Sequence, residues 1–299
     1  MEIDGPLAGD PLQPLPLGAL PPLPPLRLAV VGHVEWVSFI GVDHLPVAGE
    51  ILRASHSQDL AAGGGAVIAV QLAKLTGQPI PFFTALGRDR IGEMAAEQLQ
   101  GLGLDLQVAW REGPSRRAVT FIDTSGERTI TVIGERLSPT AADPLPWASL
   151  SACDGVFVTA CDGAALGLSR RARLLAATPR LGLELIQTTG LQLDALIGSA
   201  ADPGERYRQG DLDPAPKLYV GTEAQRGGFS WPGGPYAAFE LPSPPVDCYG
   251  AGDSFAAGVT AGLAAGWSRH QALSLGCLCG AACVGGRGPY DNQLQLAAP

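Results

Sequence analysis

Short apolar runs that end near glycine alternate with stretches of helical periodicity along most of this chain. Leu28-Ala29-Val30-Val31-Gly32 places four apolar residues in a row, which predicts a strand buried on both faces, as in a parallel sheet. Pro79–Leu86, Gly155–Thr159 and Lys217–Val220 repeat that pattern. Ala66–Leu75, opened by Gly63-Gly64-Gly65 and closed near Gly77, predicts a helix. A second helix is predicted after the loop Gly87-Arg88-Asp89-Arg90-Ile91-Gly92, through about Leu102, and a third over Arg170–Ala177. Strands alternating with helices argue for a doubly wound α/β parallel sheet.

A second pattern interrupts the first. Ala118–Asp123 and Arg128–Ile133 alternate with period two and flank Thr124-Ser125-Gly126-Glu127, a hairpin signature. Val34–Val42 and Ile51–Gln58 are mixed apolar and polar, with a turn at Pro46–Gly49. Together they predict a small sheet outside the main one, with lid strands from about 34–60 and 107–134. Ser199–Pro216 is rich in Asp, Pro and Gly and predicts a loop. Near the end, Gly250, Ser254, Gly258, Gly262 and Gly266 fall four apart, on one stripe of a helix. That stripe permits close approach of a neighbour, for which Leu273–Val284 is the candidate.

The head of that last helix carries the strongest chemical signal. Val246-Asp247-Cys248-Tyr249-Gly250-Ala251-Gly252-Asp253-Ser254-Phe255 reads as a small-residue turn opening a helix, with a carboxylate in the first turn. The free N–H groups of such a turn favour negative charge. A carboxylate beside them can take a proton from a hydroxyl while the amides hold a transferring phosphoryl group. A plain turn with an acidic N-cap is the alternative. Other phosphate-handling motifs are missing. Lys74 and Lys217, the two lysines, do not follow a glycine-rich loop, so a Walker-type site is excluded. The residues after Gly32 are too bulky for a dinucleotide fingerprint. There is no Gly-x-Ser-x-Gly elbow and no His-Glu-x-x-His.

Composition narrows the partners. Of 299 residues, 46% are hydrophobic and 16% charged, which suits a large core and argues against wholesale disorder. A net charge of −9 disfavours nucleic acid or an anionic membrane as the main partner, while a small phosphate ligand can still be held locally. Residues 1–26 hold no Lys or Arg and many prolines, so they read as a flexible, polyproline-like tail rather than a secretory signal. No uninterrupted apolar run is long enough to span a membrane. The six cysteines, Cys153, Cys161, Cys248, Cys277, Cys279 and Cys283, read as reduced thiols of a cytoplasmic protein. His33, His44, His56 and His270 are too scattered for a metal site.

These features together resemble the ribokinase-like (PfkB) carbohydrate kinase family, from about Leu28 to Pro289. The stretch Asp247–Phe255 resembles the family's C-terminal signature. Gly63–Gly77 with Gly87–Gly92 resembles its N-terminal glycine signature, and Thr222–Gly228 and Arg287-Gly288-Pro289 add support. The resemblance implies a Rossmann-like kinase domain over 27–292 with a β-sheet lid. It implies transfer of the γ-phosphoryl group of ATP, with Mg2+, to a hydroxymethyl group of a small sugar or sugar-like alcohol. Asp253 would be the base and Gly250, Ala251 and Gly252 the anion hole. Gly63, Gly64, Gly65 and Glu35 would meet the sugar. Thr222, Gly227, Gly228, Cys277 and Gly280 would flank the nucleotide. Asp247 would lie at a monovalent-cation loop, with K+ as the ion. Free lid edges suit a homodimer.

The chain departs from the family in several places. Val37 stands where a sugar-binding Asp is usual, and Glu35 is the candidate replacement, or a solvated charge on the lid. Val67 stands where an Asn is usual, and Cys277 where an adenine-side Asn is common. The family's Asn-x-x-Glu stretch is not recognisable. Asp202 and Glu205 occupy roughly its place and are candidates for Mg2+, or simply loop acids. A nucleoside kinase, or a non-catalytic ligand-binding or regulatory protein on the same fold, are the rival readings.

Overall fold

Four buried residues at Leu28–Val31 become the strand from which the main sheet grows in the computed structural model, which describes residues 10–296. In chain order the elements begin β1 (Leu28–Val31), β2 (Glu35–Gly41), β3 (His56–Ala62), α1 (Gly64–Thr76), β4 (Ile80–Gly87), α2 (Arg90–Gly101), β5 (Leu104–Arg111), β6 (Arg117–Ile122) and β7 (Arg128–Ile133). They continue β8 (Gly155–Val158), α3 (Gly163–Ser169), β9 (Leu175–Ala177), α4 (Leu183–Thr189), β10 (Ala195–Ser199), β11 (Tyr219–Thr222), β12 (Gly228–Trp231), β13 (Gly234–Tyr236), α5 (Ala251–Ala264) and α6 (Arg269–Cys283).

The large sheet has nine strands in the order β13-β12-β11-β10-β9-β8-β1-β4-β5. From β5 to β11 every neighbouring pair is parallel, and β12 and β13 add antiparallel strands at one end. Alternate residues of each buried strand feed opposite faces. Leu28, Val30 and Phe82 pack with α1, α5 and α6 in one core, while Ala29, Val31 and Phe83 pack with α3 and α4 in the other. The chain runs one way from β1 to β4 and β5, and the other way from β8 to β11. The switch therefore lies between β1 and β8, where such folds open a crevice at the carboxyl ends of the strands. His33 and Thr159, which follow those two strands, meet there: His33 Nδ1 lies 3.4 Å from Thr159 Oγ1.

Four strands form the separate lid sheet, ordered β3-β2-β6-β7. Its hairpin tip is fastened over the crevice: the Cys248 N–H donates to Gly126 O at 3.0 Å. Gly126 has φ +79°, and a Cβ there would lie 2.9 Å from Pro245 O, so the contact itself requires glycine. β5 differs from expectation. Residues 107–111 belong to the main sheet, where Ile80↔Leu104 through Gly87↔Arg111 pair in parallel. An edge strand with one half-covered face carries the same alternation as a lid strand.

Two more expectations give way. Arg170–Ala177 is not a helix, since its end forms β9, paired in parallel with β8 and β10. From residue 10 onward the proline-rich segment is also not a free tail. Leu12 bridges to Tyr236, Leu12, Leu20 and Leu23 pack on the core, and Leu26 is buried. Residues 1–9 of that segment lie outside the described residues. The six cysteines are unpaired thiols, with Cys277, Cys279 and Cys283 buried. Among the described residues no helix is long and apolar enough to cross a membrane.

Candidate active site

Two glycine-rich helix starts face each other across the crevice. Gly63 caps α1 with φ +89°, and Gly250 caps α5 with φ +81°, conformations that L side chains rarely adopt. A Cβ on Gly64 would lie 2.9 Å from Asp253 Oδ1, so the first turn of α1 sits against the carboxylate in the first turn of α5. The Tyr249 hydroxyl accepts from the Gly63 N–H at 3.2 Å and ties the two turns together. Gly65 packs instead on the end of β1, where a Cβ would meet His33 O at 2.7 Å.

Among the described residues the N–H groups of Gly250, Gly252 and Asp253 have no protein acceptor, whereas the Ala251 N–H turns back to Cys248 O at 3.4 Å. Gly252 is exposed, with open space where a Cβ would point. Asp253 is half-buried at the floor of the crevice. Burial raises its carboxyl to about 7; Glu205 and Glu35 push the same way, and Arg128 and Arg180 oppose them. A carboxyl with such a value accepts a proton near neutral pH far better than an ordinary aspartate.

Glu35 opens β2 and is 7% exposed. Its Oε1 lies 3.0 Å from Arg116 Nε and 3.7 Å from His33 Nε2. A Cβ on Gly63 would stand 3.4 Å from Glu35 Cγ. Burial raises the Glu35 carboxyl, against the pull of Arg116, Arg136 and Arg180. Burial, with those same arginines, drives His33 down to about 3, so its ring is neutral.

Asp202 and Glu205 do reach this neighbourhood, but Arg180 holds both carboxylates. The second oxygen of Glu205 accepts from the Ser199 N–H at 2.6 Å. Asp247 is 3% exposed, and its two oxygens accept from the N–H groups of Tyr249 and Gly288, each at 2.8 Å. Both oxygens therefore brace the turn that carries Gly250.

The residues expected on the nucleotide side are spread along one flank. Gly280 lies on α6 beside the turn that opens α5, 3.3 Å from Ala251 O to where its Cβ would be. Thr222 ends β11, and Gly227 and Gly228 lead into β12. A Cβ on Gly227 would meet Tyr236 O at 2.0 Å and one on Gly228 would meet Gly221 O at 2.1 Å. The hairpin thus requires those two glycines for its own packing. Cys277 is buried against Ala237, beside Leu12 and Pro14 of the N-terminal segment.

Sequence reasoning missed His33, Tyr249 and the arginines Arg116, Arg128, Arg136 and Arg180. Arg116 precedes β6 and Arg128 begins β7. Arg128 is exposed, Arg116 and Arg136 lie just outside the lid strands, and Arg180 follows β9; in the sequence each looks like an ordinary solvated charge, and only the fold brings the four to one crevice.

The model of the pfkB family of carbohydrate kinases matches residues 26–178 and 236–295. The chain belongs to this family. The pfkB match leaves out residues 179–235, the stretch that holds Arg180, Asp202 and Glu205. A ribokinase from Arabidopsis thaliana is 33% identical over 111 residues, which are 36% of this chain and 29% of that relative. The chain thus spans less than a third of the length of the curated relative it matches. Among pfkB-type folds, the structure of Arabidopsis thaliana ribokinase complexed with ribose and ATP is 20% identical, covers 90% of this chain and 96% of its own, and superposes with a TM-score of 0.69. The adenosine kinase of Sinorhizobium meliloti is 18% identical, covers 89% and 96%, and has a TM-score of 0.70. These likenesses establish the fold.

Proposed function

We propose that this protein is an ATP-dependent kinase that phosphorylates a hydroxymethyl group of a small sugar or sugar-like alcohol. The observation that carries the reading is the Asp253 carboxyl, raised to about 7, lying against Gly64 and beside free backbone donors at a helix start. ATP supplies the transferable phosphoryl group when bound. Asp253 accepts the proton of the attacking hydroxyl. The new bond joins that oxygen to the γ-phosphorus, the bond to the β–γ bridging oxygen breaks, and ADP leaves. The N–H groups of Gly250, Gly252 and Asp253 match the charge on the group in transit. The lid, fastened at Gly126, keeps water out and so limits hydrolysis of the nucleotide.

Among the described residues no three His, Cys, Asp or Glu side chains converge to hold a metal, and Arg180 already neutralises Asp202 and Glu205. The side chains present do not fit a protein-held Mg2+ site. Asp247 likewise has both oxygens committed to backbone donors, so a K+ site there would rest on loop carbonyls.

ADP release by the purified protein over a panel of sugars, nucleosides and polyols tests the reading. Acceptor-dependent ADP that disappears in Asp253→Asn supports it. Tight acceptor or nucleotide binding without turnover on any acceptor would support the non-catalytic rival, which the occupied Asp202 and Glu205 favour. A homodimer through the lid is also proposed. β7 is exposed at the sheet edge, with Ile130, Val132 and Ile133 41–43% exposed, and sedimentation of the intact chain checks it.

A further inference from the structure

An acidic chain of net charge −9 gathers four arginines around one carboxylate crevice. They divide into two groups. Arg180 is matched by Asp202 and Glu205, on the segment that follows β10. Arg128 acts on Asp253 from the start of β7. Arg116 and Arg136 are different, because they surround Glu35 and His33, on the side where Gly63 approaches.

Neither of these two is fully satisfied by the protein. Arg116 Nε is buried and, although 3.0 Å from Glu35 Oε1, makes no hydrogen bond. Arg136 is half-buried and has no carboxylate within ion-pair distance among the described residues. Its Nη1 donates at 3.1 Å to the main-chain oxygen of Arg180, and burial together with the Arg116 and Arg180 guanidinium groups disfavours its charge, against the pull of Glu35. Glu35 alone offsets Arg116 and Arg136, and the neutral His33 ring adds no charge. Burying a guanidinium without an anion is costly, and placing two together costs more. A neutral sugar would leave that cost standing. A carboxylate or phosphate would remove it, since the planar guanidinium fork fits either group.

We propose that the phosphate acceptor carries its own anionic group, a carboxylate or a phosphate, and that Arg136 and Arg116 receive it beside Glu35. The proposal rests on the kinase reading and narrows its substrate class. The hydroxymethyl end of such an acceptor lies at Asp253 and its anionic end under the lid.

Two matched pairs of probes test this: gluconate against glucitol, and fructose 6-phosphate against fructose. Each anionic probe keeps a free hydroxymethyl group. The expected result is that at least one has kcat/KM about tenfold or more above its neutral twin, the size of one charge-assisted hydrogen bond. Which pair responds tells a carboxylate from a phosphate. Arg136→Gln is expected to abolish that preference by raising KM for the acceptor, with KM for ATP nearly unchanged. Arg136→Lys, which keeps the charge but loses the fork, is expected to fall between. Equal or better use of the neutral twins overturns the proposal, as does an Arg136→Gln effect confined to KM for ATP. Calorimetry on Asp253→Asn separates this outcome from failure of the kinase reading. Binding of an anionic probe that requires Arg136, with no ADP formed from any acceptor, upholds the anion site and removes the kinase assignment. ADP formed from neutral acceptors, with neither anionic probe bound, does the reverse.

Discussion

At the scale of single residues, Asp253 joins chemistry to stability. Its carboxyl is raised by burial to about 7, so the acid is still protonated in the folded chain over a range where an unfolded aspartate has ionised. The folded state then binds the extra proton, and stability falls as pH rises from about 4 to about 7. Activity of the proposed kinase would run the other way, because a base at Asp253 must be ionised. The rate is expected to climb through pH 7 and level off above pH 8, while Asp253→Asn loses turnover. The same variant should melt several degrees above the parent at pH 8, and the gain should vanish near pH 4, where both residues are neutral. Calorimetric melts at the two pH values check this, and equal melts at pH 8 would refute the burial argument. Gly252 gives a cleaner separation of roles. A Cβ there meets no protein atom, so Gly252→Ala should hold or raise stability, by up to about 1 kcal/mol in a helix. The methyl group would stand at the mouth where the free donors converge, and kcat should drop. Asp253 and the glycines around it were legible in the sequence because their chemistry and local conformation coincide. Glu35 was legible as a candidate, but the ring of arginines was not. Those four residues come from separate places, before β6, at the start of β7, just after β7 and just after β9, and no local pattern shows that they meet.

At the scale of elements, close packing of α5 on α6 positions the turn that carries Gly250 and Asp253. The stripe of small residues on α5 was readable from its spacing of four, and the structure places α6 against it. A Cβ on Gly258 would lie 2.8 Å from Leu275 O and 2.9 Å from Cys279 Sγ, and one on Gly262 2.8 Å from Ala272 Cα. Backbone atoms do not yield to such contacts, so Gly258→Ala should push the helices apart and cost about 1–3 kcal/mol in denaturant unfolding. The shift would carry Gly280 away from Ala251 O, so activity should fall as well. Gly167 in α3 has open space around it and serves as the control, with Gly167→Ala neutral or mildly stabilising. Arg170–Ala177 is made of residues that favour helices, yet Leu175–Ala177 is drawn into the sheet between Val156–Val158 and Ala195–Leu196. Parallel partners on both sides outweigh a weak local preference. β5 joins the main sheet rather than the lid for a related reason: alternation shows that one face is covered, but not which sheet covers it.

At the scale of the whole molecule, the proline-rich segment has a structural task that its composition hides. Prolines suggest a free tail, but leucines set between them can be buried while the prolines keep the backbone extended. Leu12 adds to the outer edge of β13, with its N–H donating to Pro235 O and its carbonyl accepting from the Ala237 N–H, both at 3.0 Å. The Leu15 N–H donates to Ser274 Oγ at 2.9 Å, and Gln13 O meets His270 Nε2 at 2.7 Å, so the strap also fastens to α6. An unpaired edge of a nine-stranded sheet invites association with other chains. Pro11 and Pro14, which have no N–H, flank the bridge at Leu12 and stop it from extending into another strand. Removing residues 1–25 should therefore expose the edge at Tyr236 and the apolar surface under Leu12, Leu20 and Leu23. The truncated protein is expected to melt several degrees lower and to scatter light on warming, whereas a free tail would leave both unchanged. Because the strap also covers Cys277 and Ala237, its loss should raise KM for ATP more than KM for the acceptor, whose binding groups lie across the crevice under the lid. Equal changes in the two constants would mean that the strap supports the fold as a whole and has no particular hold on the nucleotide flank.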